Sequence, residues 1–133
     1  MEPKFILDLE EKKKYVEYFY EVVRFDSRRD DFRPRLFLQT LEGYTNLKGH
    51  AFDEAFWMFF AHEIPEGEPD WFESGIEIRI DWPAVDEDVV VPLSYQEFYP
   101  MLCEECEKYL EERPEDRERV HELLGQIKIA LKV

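Results

Sequence analysis

Between Gly75 and Leu110 the chain reads GIEIRIDWPAVDEDVVVPLSYQEFYPMLCEECEKYL, and this segment restricts the fold more than any other. Ile76, Ile78, Ile80 and Trp82 alternate with Glu77, Arg79 and Asp81. On an extended backbone the two sets leave on opposite faces, which predicts a half-buried strand with one polar face. Pro83 ends it, Val89, Val90 and Val91 restart a strand, and Pro92 stops that one; the connection is short enough for a hairpin. Ser94 and Glu97 then stand at the spacing of a capping box. Phe98, Leu102, Cys106 and Tyr109 follow as one stripe of an amphipathic helix. Pro100 falls inside it, and an interior proline loses a hydrogen bond and crowds the carbonyl four residues back. Two courses are open: a helix kinked near Gln96, or a short first turn followed by a main helix from about Pro100.

The flanking segments supply further elements. Asp8 and Glu11 open a helix that carries Tyr15, Tyr18, Phe19, Val22 and Val23 on its apolar side and ends near Phe25. Asp26 to Arg33, DSRRDDFR, reads as a solvated connector. Pro34 suits the first position of a two-turn helix through Leu36, Phe37 and Leu41, with a strand over 36–38 as the alternative. Phe52 to Ala61 is the most apolar run; its aromatic density favours a strand, placed centrally and covered on both faces. Ile64 to Ser74, with Pro65, Gly67 and Pro69, is a loop presenting Trp71 and Phe72, at least one of them folded back on the sheet. Pro114 starts a last helix with Val120, Leu123, Leu124, Ile127 and Leu131, paired with the preceding one as an αα-hairpin. The fold class expected is α+β: a small antiparallel sheet of about three strands, packed with N-terminal helices and a C-terminal αα-hairpin. At 133 residues, without repeat or flexible linker, the chain is expected to be one domain spanning residues 1–133.

Charge narrows the function. The net charge is −15, yet residues 51–93 hold twelve acids against a single base, Arg79. Such a field repels nucleic acid and anionic membranes and speeds capture of a basic protein. The acids of this region not explained by folding are Glu66, Glu68, Asp70, Glu77, Asp81, Asp86, Glu87 and Asp88. With Trp71 as an aromatic anchor they are the candidate contact rim, since interfaces set aromatic anchors within charged surroundings. Sixteen per cent aromatic residues argue against disorder. The opening MEPKFILDLEEKKK has only a three-residue apolar run between acids, unlike a secretory signal, and with two cysteines the expected location is the cytoplasm.

Catalytic chemistry is poorly represented. Cys103 and Cys106 form a C-x-x-C pair within the predicted helix, among Glu104, Glu105 and Glu107, which disfavour a thiolate; no second pair completes a zinc site. His62 and Glu63 form a metal cluster with Asp53 and Glu54 only if folding brings them together, and nothing in the spacing demands it. No glycine loop suits a phosphate, and no cofactor is expected.

In order along the chain, Phe72–Ile78, Asp88–Val91, Ser94–Tyr99, Tyr109–Asp116 and Leu123–Lys128 resemble the CdiI group of immunity proteins, from contact-dependent growth inhibition (CDI) systems with ribonuclease toxins. The resemblance covers roughly residues 52–131. It implies a non-enzymatic inhibitor that binds the C-terminal nuclease domain of a cognate toxin, a basic protein, without touching nucleic acid or membrane itself. It carries over no binding residues. Two other readings stand beside it: a metal-dependent hydrolase using His50, His62 and nearby acids, and an acidic adaptor or assembly subunit that holds a basic partner permanently.

Overall fold

The computed structural model describes residues 2–26, 31–52 and 54–133. Strand β1 (Lys4–Phe5) leads into helix α1 (Leu9–Arg24). Asp8 caps the helix as its sequence predicts, its side chain accepting from the Glu11 N–H at 3.1 Å. The buried side centres on Val16, Phe19, Tyr20 and Val23, with Tyr15, Tyr18 and Val22 packed along its margin. Short strands β2 (Phe25–Asp26) and β3 (Asp31–Phe32) pair antiparallel. The expected connector 26–33 therefore starts and finishes in a ribbon, and its residues 27–30 lie outside the described ones. Helix α2 (Pro34–Thr45) places Pro34 in its first turn, where a missing N–H is no loss. It runs 12 residues, longer than the two turns expected, and takes in positions 36–38.

Strands β4 (His50–Phe52) and β5 (Phe56–Phe60) form one antiparallel pair, β6 (Ile76–Ile80) and β7 (Val89–Leu93) another. Helices α3 (Tyr95–Glu112) and α4 (Arg117–Leu131) complete the chain. The sheet order is β1-β7-β6-β5-β4, with β1 parallel to β7 and every other pairing antiparallel. This corrects the expected sheet of about three antiparallel strands to a mixed sheet of five, with four helices among the described residues. The two unforeseen members are edge strands of two and three residues, too short to carry an alternating pattern.

Pro92 does not stop β7, which continues through it to Leu93. β1 reaches only Val89 and Val90, so at Pro92 the strand is an open edge where a proline is tolerated. Nor does Pro100 break α3, which runs unbroken from Tyr95. The capping box starts it as predicted: Ser94 Oγ accepts from the Glu97 N–H and Glu97 Oε1 from the Ser94 N–H, both at 3.0 Å.

One face of the sheet is buried. Phe56, Met58 and Phe60 join Ile76, Ile78 and Ile80 and Val89, Val91 and Leu93 there. α1 and α3 pack on this face, α2 and α4 pack on each other, and α4 also meets α3 across the turn at Pro114. Within the core Phe37 stacks on Tyr109 with centroids 4.3 Å apart, and the Tyr20 and Tyr44 hydroxyls share a hydrogen bond of 2.7 Å. Buried Glu105 takes Arg24 at 2.5 Å and Lys108 at 2.8 Å. Two expectations fail on the other face. Trp57 and Phe59 are only half-buried there, so β5 is not covered on both sides. Trp82 lies past the end of β6 and is 70% exposed, rather than in line with Ile76, Ile78 and Ile80.

Candidate functional site

The open face of the sheet carries the candidate site. Strand register sets Phe5, Val90, Arg79 and Trp57 in one row across β1, β7, β6 and β5. Glu77 and Phe59 form the neighbouring row on one side. Asp81 and Asp88 stand on the other side, just beyond the strand ends. Because the side-chain period is two, all of these leave the backbone away from Ile78 and the helices. They line a cleft of about 710 Å³, walled by Glu2 and Pro3 on one side and by Pro69, Asp70 and Trp71 of the 64–75 loop on the other.

Arg79 is its centre. The guanidinium donates to Glu77 Oε1 from Nε at 3.1 Å and from Nη2 at 2.6 Å. Nη2 also donates to the Asp70 carbonyl at 2.9 Å, and Nη1 stands 3.4 Å from the Asp70 carboxylate. The same group lies over the Phe59 ring, 5.1 Å from its centroid, and Phe59 is nearly parallel to Trp57. Arg79 thereby ties the 64–75 loop to the sheet, and it lets Glu77 be buried with a partner. Glu77, Asp70, Asp81, Asp88 and Glu2 still leave this lining with five carboxylates against one guanidinium. Asp81 registers that excess: desolvation, then the charge of Asp88, raise its pKa against the pull of Arg79, with Asp70 adding a smaller push upward.

The turn beyond β6 is fixed from two sides. Asp88 Oδ1 accepts from the Trp82 N–H at 2.7 Å, and Tyr18 of α1 donates to the Ala84 carbonyl at 3.0 Å. Asp86 and Glu87 stand exposed on it and, with Glu2, Trp82 and Asp88, line a recess of about 260 Å³. Glu66 and Glu68 are exposed on the 64–75 loop but line neither hollow. Trp71 is 42% exposed and Phe72 partly buried, the division expected of that pair.

The structure thus brings Asp70, Trp71, Glu77, Asp81 and Asp88 into one cleft, sets Asp86 and Glu87 beside it, and leaves Glu66 and Glu68 apart. Sequence reasoning missed Phe5, Trp57, Phe59 and Trp82 as surface aromatics and Arg79 as an organising residue. The signal was present for two of them. Phe56, Met58 and Phe60 alternate with Trp57 and Phe59, so one set had to share a face with the polar side chains of β6.

The other chemical groupings are engaged in structure. Cys103 and Cys106 are free thiols; burial pushes both up, Cys106 well beyond the ordinary range. His62 Nε2 lies 2.6 Å from the Leu47 carbonyl, and Glu63 Oε1 accepts from the Gly49 and Phe60 N–H groups at 2.9 Å. Asp53 lies outside the described residues. Among the described residues no group of three or more His, Cys, Asp or Glu is placed to hold a metal ion, and no helix is long and apolar enough to cross a membrane.

Residues 12–124 match the model of a family described as CDI immunity protein. The match reaches back through most of α1 and all of α2, which the resemblance over 52–131 did not include. No curated protein and no solved structure matches the chain.

Proposed function

This chain belongs to the CDI immunity proteins, a family that neutralises CDI toxins, and from that premise we propose that its target is a basic nuclease domain at the C-terminus of the cognate toxin, held by acids around the open face of the sheet. A nuclease must present cations to the phosphates of its substrate, and an acidic inhibitor complements that groove. The family match supports binding to a toxin; the observation favouring a nuclease is the setting of Asp70, Asp81, Asp86, Glu87 and Asp88 around exposed Trp71 and Trp82. The protein acts by occupying its target, with no reaction of its own. Glu66 and Glu68 contribute field rather than close contact, and steering by that field makes capture fast at low salt.

The test is association with the C-terminal domain of the cognate CDI toxin, rendered inactive for handling. Asp86→Lys with Glu87→Lys, leaving Asp88 to hold Trp82, is expected to slow association at least about tenfold at low salt and to flatten its salt dependence. Wild-type rates in that variant remove these acids from the contact surface. A toxin domain that is not a nuclease removes the charge rationale.

A further inference from the structure

The cleft on the open sheet face is more specific than an acidic surface. Its lining includes Phe5 of β1, 54% exposed, and Trp71 of the 64–75 loop, 42% exposed, with half-buried Trp57 on β5. Large aromatic side chains left uncovered around one cleft mark a contact site more often than chance exposure does. The carboxylates of Asp70, Asp81 and Asp88 stand along its edge. Aromatic faces beside carboxylates that outnumber the one guanidinium among them suit a planar, weakly hydrated cation, which is an arginine side chain rather than a lysine. The molecule already makes this contact once: Arg79 lies over Phe59 while its fork is held by Glu77 and Asp70. At about 710 Å³ the cleft is larger than one side chain needs and falls within the range of about 300–1,000 Å³ typical of ligand pockets.

We propose that this cleft receives a loop tip of the toxin domain and that an arginine at the tip lies against Trp57, its guanidinium shared by Asp70 and Asp81. The proposal rests on the toxin-binding reading and adds where the toxin's arginine goes. It assigns Trp57, which none of the charge considerations singled out, as the floor of the contact. Arg79 fills the second aromatic position and keeps the carboxylates spaced, so it positions the cleft without taking part in the contact.

The chain has three tryptophans, 57, 71 and 82. Trp71→Phe with Trp82→Phe leaves Trp57 as the sole emitter. Adding the inactivated toxin domain is expected to shift its emission and lower its acrylamide quenching at least about threefold. Asp70→Asn with Asp81→Asn, in the wild-type background, is expected to weaken toxin binding at least about tenfold with the circular dichroism spectrum unchanged. If the double tryptophan variant does not fold, covalent tryptophan labelling of the wild-type protein, read at Trp57 by mass spectrometry with and without toxin, makes the same comparison. Toxin that binds while Trp57 stays equally accessible overturns the cleft assignment and leaves the toxin-binding reading standing. Failure of the wild-type protein to bind the toxin domain at all overturns both. Protection of Trp57 by raising protein concentration alone makes a second copy of this chain the occupant and overturns the assignment to toxin.

Discussion

Single residues here divide into those that hold the fold and those that only the site explains. Gly75 belongs to the first kind: its φ is +81°, and a Cβ there would stand 2.4 Å from the Leu93 carbonyl oxygen. Gly75→Ala is expected to lose about 2 kcal/mol or more in urea unfolding, from left-handed strain together with a clash against backbone. Gly125, inside α4 with nothing within 4 Å of its would-be Cβ, is the control. Gly125→Ala is expected to gain about 0.5–1 kcal/mol. Asp81 is proposed to belong to the second kind. Its folded pKa lies above the ordinary 3.8, so the folded state holds its proton more tightly and loses stability relative to the unfolded chain as pH rises through that window. Asp81→Asn is therefore expected to melt higher than wild type at pH 7, with the difference closing as pH falls below about 4. The same substitution is proposed to weaken toxin binding. Both results together would mean that Asp81 serves the contact at a cost to the fold.

At the scale of elements, α3 shows how far local signals reach. Ser94, Glu97 and the stripe from Phe98 to Tyr109 were legible because capping and helical period are short-range chemistry. The effect of Pro100 was not, since burial of Phe98, Leu102 and Cys106 against the sheet outweighs one absent hydrogen bond. Glu97 has a second partner no local pattern could reveal: Lys12 of α1, buried, with Nζ 3.3 Å away. The Ser94 backbone N–H first, and Lys12 after it, hold the Glu97 carboxyl below its ordinary 4.5. Its contribution is thus present above that value and lost as pH falls through the depressed one. Glu97→Ala is expected to cost about 2 kcal/mol at pH 7 in denaturant titration, and progressively less on acidification. The edge strands were illegible for a related reason. β1 and β4 are set by partners rather than by propensity, and the cleft that β1 walls was hidden with it. The acids could be read from composition; the aromatic floor between them needed the register of β5 against β6.

For the whole molecule, a net charge of −15 on 133 residues means that the folded state crowds like charges that the unfolded chain spreads out. Raising sodium chloride from low millimolar to about 150 mM, where the Debye length is about 8 Å, is expected to raise the melting temperature while slowing capture of the toxin. A melting temperature that falls over this range would mean that ion pairs such as Arg24 with Glu105 dominate the long-range field.

The parallel pairing of Lys4 and Phe5 with Val89 and Val90 also bears on how the protein is made. On the ribosome α1 can coil as soon as it emerges, capped by its own Asp8, whereas the segment before it must wait for β7 to be translated. Only then do the Lys4 and Ile6 N–H groups find the Asp88 and Val90 carbonyls. The wall formed by Glu2, Pro3 and Phe5 is therefore assembled late, and a nascent chain that stops short of Val89 has the first residues of the cleft without the cleft. The surface proposed for the toxin is thus closed only once β7 has been made, and its buried side is covered only when α3 and α4 follow.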